Sequence, residues 1–206
     1  FGTSIITNYK PEYLIRIYHI SCILYMNTIS YCNSKKSLIQ IDNTNNNIIH
    51  NFNMSSNKIT QCDHGTKLET KYLLELNNVN VELFNNSISY SRIRNEGSLI
   101  ILQECKSGIS FKMFSNTIEK CDHNGNQKAK YLINVKDAET YFHDNTISEC
   151  YVYDSIIAVE NSLNLEMFSN TIKNCNHKDI NENRLIIYIQ NSNAYLFNNN
   201  ITDCTH

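Results

Sequence analysis

Four places along the chain pair a thiol with an imidazole two residues later: Cys62 and His64, Cys121 and His123, Cys175 and His177, Cys204 and His206. Thiolate and imidazole both bind zinc, and a tetrahedral site needs four such ligands. The last two pairs are the best candidates for sharing one site. Eight cysteines also raise the question of a disulfide framework. A third chemistry is carried by rings. Tyr25, Phe84, Phe114, Phe168 and Phe197 each stand two residues before an asparagine, in a row interrupted by Ser55 and His143. Aromatic rings placed regularly on a surface could stack on a glycan or meet a protein partner.

What these residues can do depends on the elements that carry them, and those elements repeat. LEMFSNTIKNC, from Leu165 to Cys175, has near-copies at Phe111–Cys121, Ala194–Cys204, Val81–Ser91, Thr140–Cys150, Cys22–Cys32 and Phe52–Cys62. The copies align on Asn27, Asn57, Asn86, Asn116, Asn145, Asn170 and Asn199, at spacings of 30, 29, 30, 29, 25 and 29. A period in this range marks a solenoid, whose repeats bury their apolar faces only by stacking. Isoleucine follows two residues after every anchor, from Ile29 to Ile201. A large apolar residue precedes it by three, and cysteine follows it by five except at Ser91. The asparagine thus sits among core residues. A buried amide without a partner costs about 1–3 kcal/mol. Coils one strand spacing apart, ~4.8 Å, let each amide bond to those above and below. Asparagine also tolerates a left-handed turn conformation.

Upstream in each period runs a short apolar-apolar-x-apolar pattern, such as Leu38-Ile39-Gln40-Ile41 or Leu99-Ile100-Ile101-Leu102. Its length and isoleucine content predict a strand. A polar turn follows, at Asn43, Asn78, Glu104, Asp137, Asn161 and Asn191. Each period therefore holds about three short strands and three turns. A leucine-rich repeat shares part of the pattern but wants a leucine eight residues before the anchor. Those positions hold His19, Ile49, Asn78, Gly108, Asp137, Ser162 and Asn191.

On this frame the candidate chemistry is sorted. Six cysteines occupy one inward column, where neighbours stack parallel and are poorly directed for a disulfide, so buried free thiols are expected. The histidines of the Cys-x-His pairs lie on loops while their cysteines point in, so no metal site is expected. Strand alternation points the rings outward, with Tyr141 and Tyr195 on the same side. They form an exposed contact flank, or a bend or covering loops hide them.

Asn85-Asn86-Ser87-Ile88, Asp144-Asn145-Thr146-Ile147 and Asn198-Asn199-Asn200-Ile201 make the chain resemble the right-handed parallel β-helix of the pectate-lyase-like superfold. The likeness spans roughly residues 13 to 204. It implies an all-β, single-stranded solenoid of about seven coils of ~29 residues with an internal asparagine ladder. Family members include polysaccharide lyases and hydrolases, phage tailspikes and surface adhesins. Lyase-like chemistry would need clustered acids with a base, and Glu104, Asp137 and Glu160 with Lys136 are the nearest set. Two of these acids fall on the turn column, which explains them without catalysis. The polygalacturonase strings are missing, and Arg92-Ile93-Arg94 is a faint echo of one.

With 18 Lys+Arg against 20 Asp+Glu and no basic stripe, nucleic acid is not an expected partner. There is no apolar run long enough for a membrane span. The 206 residues read as a single β-helix domain. Neither end shows a polar cap, so they are expected to be a segment of a longer array. Loops after Cys62, Cys121 and Cys175 are long and the others short, so the unit is a pair of coils. The three Asn-x-Ser/Thr sequons do not establish secretion; an extracellular or cell-surface location is implied only by the resemblance. The expected function is a non-enzymatic adhesion-type segment presenting loops or a flat face to a glycan or protein, without catalytic residues, metal or cofactor. The alternative is a segment of a carbohydrate-active lyase or hydrolase.

Overall fold

The computed structural model describes residues 11–44, 48–62, 70–93, 97–121, 129–177 and 185–204. The chain winds into a parallel β-solenoid built of three seven-stranded sheets. Each coil contributes one strand to each sheet, in the same order. The first sheet takes Tyr13–Tyr18, Ser37–Asp42, Tyr72–Asn77, Ser98–Gln103, Tyr131–Lys136, Ser155–Glu160 and Ile187–Gln190. The second takes Cys22–Tyr25, Asn51–Ser55, Asn80–Phe84, Ser110–Phe114, Glu139–His143, Leu165–Phe168 and Ala194–Phe197. The third takes Thr28–Ser30, Lys58–Thr60, Ser87–Ser89, Thr117–Glu119, Thr146–Ser148, Thr171–Lys173 and Asn200–Thr202. A small parallel pair, Tyr151–Val152 with Asn176–His177, joins two loops. No helix long and apolar enough to cross a membrane occurs among the described residues.

Register explains the repeat. In the third sheet the isoleucines lie in one file, with Ile59 opposite Ile29 and Ile88, and Ile118 opposite Ile88 and Ile147. In the second, Leu83, Met113, Phe142 and Met167 form an inward file. First-sheet strands slip once in their alternation. The Arg16 guanidinium lies 4.3 Å from the Tyr13 ring centroid and 4.5 Å from that of Tyr18, so all three share the outer face. Residues 13 and 16 would face opposite ways in a regular strand. The slip lets both members of an apolar pair enter the core, as with Leu38 and Ile39 or Leu73 and Leu74.

The five central coils have sealed interiors. Among the described residues the first and last coils pair with one neighbouring coil each, and their apolar residues are partly buried or exposed. Three columns of left-handed residues mark the corners. One runs through His19, Asn78, Glu104, Asp137, Asn161 and Asn191; a second from Met26 to Asn198; a third from Tyr31 to Asp203. The second column is the residue before each anchor asparagine, not the anchor itself. The anchor does not supply the left-handed turn. Its role is inside, where the side chain is committed to the ladder.

That ladder is continuous. The Nδ2 of Asn27, Asn57, Asn86, Asn116, Asn145 and Asn170 donates to the Oδ1 of the next anchor at 2.9–3.1 Å. The backbone N–H of each donates to the same oxygen. From Asn57 onward, Nδ2 also donates to a carbonyl in the preceding coil, such as Leu83 for Asn116 and Met113 for Asn145. Each interior amide therefore uses both donor hydrogens and both acceptor sites, which removes the cost of burying it.

Candidate functional site

All eight cysteines are free. Each column thiol donates to the carbonyl two residues before it, as Cys150 does to Ser148 at 3.3 Å and Cys175 to Lys173 at 3.4 Å. Ser91 makes the same bond with its hydroxyl, to Ser89 at 3.2 Å. The column is thus a hydrogen-bonded file of small side chains. Burial raises the Cys150 thiol well above the ordinary range. Cys175 is raised by its bond to Cys150 and by burial. Burial pushes Cys105 up to about 12. These thiols are protonated and inert near neutrality. His64, His123 and His206 lie outside the described residues, as does the side chain of His177. Among the described residues no cluster of three His, Cys, Asp or Glu side chains is placed to hold a metal.

The acids Glu104, Asp137 and Glu160 each have a structural setting. Glu104 and Asp137 sit at the left-handed corner with φ of 57° and 59°. Asp137 accepts a bond from Asn161 Nδ2 at 2.9 Å. Glu160 is engaged by Lys136, whose Nζ lies 3.0 Å from Oε1. The two strands that carry this ion pair put Lys136 and Glu160 opposite one another in register. Corner geometry and sheet pairing account for the set.

The outer face of the second sheet is different. Tyr25, Ser55, Phe84, Phe114, His143, Phe168 and Phe197 form one file on it. The rings point outward: Tyr25, Phe84 and Phe197 are exposed, and Phe114, His143 and Phe168 half-buried. No bend turns them inward, and no segment among the described residues covers them. His143 does not interrupt the file. Its ring lies parallel to Phe114 and Phe168, with centroids 4.8 Å away on both sides and interplanar angles of 5° and 4°. Phe168 and Phe197 continue at 5.0 Å and 6°, while Phe84 leans on Phe114 at 5.3 Å and 43°. Coil spacing imposes this stacking, because the rings occupy one register position in strands ~4.8 Å apart. The interior rings spend their faces on one another and present edges to solvent. A lone histidine breaks the pattern by type but not by shape, which is why the residue pattern hid it.

Beside the rings runs a second outward file: Ile23, Asn53, Glu82, Lys112, Tyr141, Glu166 and Tyr195. It is mostly polar and internally bonded. Tyr141 donates to Glu139 at 3.3 Å, and Asn164 donates to Tyr141 and Glu166 at 3.3 and 3.1 Å. Lys112 Nζ lies 5.9 Å from the Tyr141 ring centroid. Two shallow depressions adjoin at Lys112. One, of about 420 Å³, is lined by Phe114, Tyr141, His143, Glu166 and Phe168. The other, of about 290 Å³, is lined by Asn51, Asn53, Asn80, Glu82 and Ser110. An aromatic shelf thus meets a floor of amides and carboxylates. Tyr141 was legible by parity; Lys112, Asn164 and Glu166 were not, since polar outward residues carry no periodic signal of their own.

Comparison of the chain with protein-family models, with curated proteins and with solved structures gives no match.

Proposed function

We propose that this solenoid is a non-enzymatic binding segment, and that the outer face of its second sheet holds a carbohydrate chain laid along the rod. The observation that carries the reading is the pair of adjoining depressions sharing Lys112. One offers the C–H rims of stacked rings and the other a dense set of amide, hydroxyl and carboxylate groups. Sugars need both kinds of contact, apolar for their C–H faces and paired polar groups for their hydroxyls. Between the Asn53 and Phe168 rungs lie four coil steps, ~19 Å at ~4.8 Å each, room for a short oligosaccharide. The resemblance to surface adhesins of the β-helix kind agrees with a presenting role at a cell surface. Glycan-array binding of the chain and of Lys112→Ala with Tyr141→Ala tests this. Selective glycan binding lost in the double variant supports it, and an array with no signal contradicts it.

One observation favours a second reading, a protein partner. Because the ring faces are occupied by neighbouring rings, a sugar cannot stack flat on Phe114, His143 or Phe168, whereas a flat protein surface can meet their edges. A pull-down that depends on Phe168 with a silent glycan array would select it. The lyase or hydrolase alternative would have to draw on the carboxylates of this face, Glu82, Glu139 and Glu166, and a uronate-polymer turnover assay addresses it directly.

A further inference from the structure

Charge is spread unevenly over the outer face of the second sheet. Three carboxylates stand there. Glu82 and Glu166 share the file of Lys112 and Tyr141, and Glu139 stands beside Ser110 in the next file. Among the described residues of these files and of the ring file, Lys112 is the one lysine or arginine. It lies next to Glu82 in register. Among the described residues no ion pair reaches Glu82, Glu139 or Glu166. Asp144, the fourth acid near the rings, is met by His143, whose Nδ1 lies 3.1 Å from its Oδ2.

The two glutamates of the Lys112 file sit one in each depression, Glu82 in the smaller and Glu166 in the larger. Three coil steps separate them, ~14 Å at ~4.8 Å each. The bonds these acids do make are to neutral groups. Glu166 takes the amide of Asn164 at 3.1 Å, and Glu139 takes the hydroxyl of Tyr141 at 3.3 Å. An ionised carboxylate has about four lone-pair sites, so each keeps acceptors to spare. A neutral donor also leaves the charge itself uncompensated. Glu82 is exposed, while Glu139 and Glu166 are half-buried and therefore screened less by salt. A ligand bearing carboxylates or sulfates would meet three like charges against one lysine, and like charges brought together repel. A ligand bearing ammonium groups finds a charged acceptor in each depression.

We infer that the carbohydrate held on this face is an amino-sugar polymer with free amines, its ammonium groups bound by Glu82 and Glu166. The inference rests on reading the face as a glycan site and adds the charge of the ligand. The sugar C–H groups lie against the edges of Phe114, His143 and Phe168. Lys112, between the two acids, donates to hydroxyl oxygens of the same chain. Neutral sugars fit the amides of the smaller depression but leave the carboxylates unanswered, and uronates are repelled by them.

Calorimetric titration of the 206-residue chain with glucosamine oligomers, with the same oligomers N-acetylated, and with galacturonate oligomers tests it. Acetylation removes the charge and keeps the sugar backbone. The free-amine oligomer is expected to bind about tenfold more tightly than its acetylated form, the scale of two exposed ion pairs. That advantage should shrink in high salt, and the galacturonate oligomer should not bind. Glu82→Gln with Glu166→Gln is expected to erase the advantage. Glutamine keeps the side-chain length and, at position 166, an oxygen for Asn164; circular dichroism checks the fold. If the double variant does not fold, each single variant is expected to lose about threefold. Free and acetylated oligomers bound alike, or the galacturonate oligomer preferred, overturns the inference and leaves the glycan site standing. Oligolysine bound as tightly as the amine oligomer overturns it as well, because charge alone then suffices. No binding of any oligomer removes the glycan site itself, and the inference with it.

Discussion

Asn116 shows how one side chain carries several duties. Its Oδ1 takes the backbone N–H and Nδ2 of Asn86, and its own Nδ2 reaches Asn145 and the Leu83 carbonyl. Asn116→Ala leaves those groups buried and unpaired, and is expected to cost about 3 kcal/mol in denaturant unfolding. Cys175→Ser is expected to cost less than about 1.5 kcal/mol, because Ser91 fills the same column with the same bond. The thiols also set a pH dependence. Cys105 is pushed from an ordinary 9.0 to about 12 by burial. A raised thiol means that the folded chain holds its proton where the unfolded chain has lost it. That contribution to stability is fully present below pH 9 and is lost as pH rises toward 12. The unfolding midpoint should fall over that window, and less so in Cys105→Ala. A thiol reagent at neutral pH should spare Cys121, Cys150 and Cys175 in the folded rod and react with eight thiols after unfolding.

At the scale of strands and corners, the sequence was readable wherever repetition met burial. The anchor asparagines, the isoleucine file and the apolar strands announced themselves because stacking demands one residue type per rung. The corners were readable only in part. Their left-handed residues include Met26, Tyr31, Lys120 and Glu149, types that do not favour the conformation, so the coil path imposes it against local preference. Gly97 is a clearer case of a backbone constraint. A Cβ there would stand 2.0 Å from the Lys71 carbonyl oxygen. Gly97→Ala is expected to destabilise by about 1–3 kcal/mol, as overpacking does, measurable as a lower denaturant midpoint. The candidate face was half legible. Parity put the rings outside, but the role of His143 follows from ring shape and spacing, which residue type does not report. Phe168→Ser removes two stacking contacts on a half-buried ring. It should cost about 1–2 kcal/mol, with partner binding lost in a chain that still folds.

As a whole, the molecule is a set of vertical files, and each file is stabilised by its own continuity. Among the described residues interior coils pair on both sides and the outermost on one, so within this segment stability should fall from the middle outward. Interior positions are spent on stacking, which leaves the flank to carry the proposed contact. Hydrogen exchange of the anchor backbone N–H groups tests the central claim, that amides in register hold the coils together. Asn86, Asn116 and Asn145 are predicted to exchange only through global unfolding. Asn27 and Asn170 should exchange sooner, and Asn199, whose N–H has no acceptor among the described residues, fastest. If the central three exchange as quickly as Asn199 under conditions where the chain remains folded, the ladder does not bear the structure and the account is wrong.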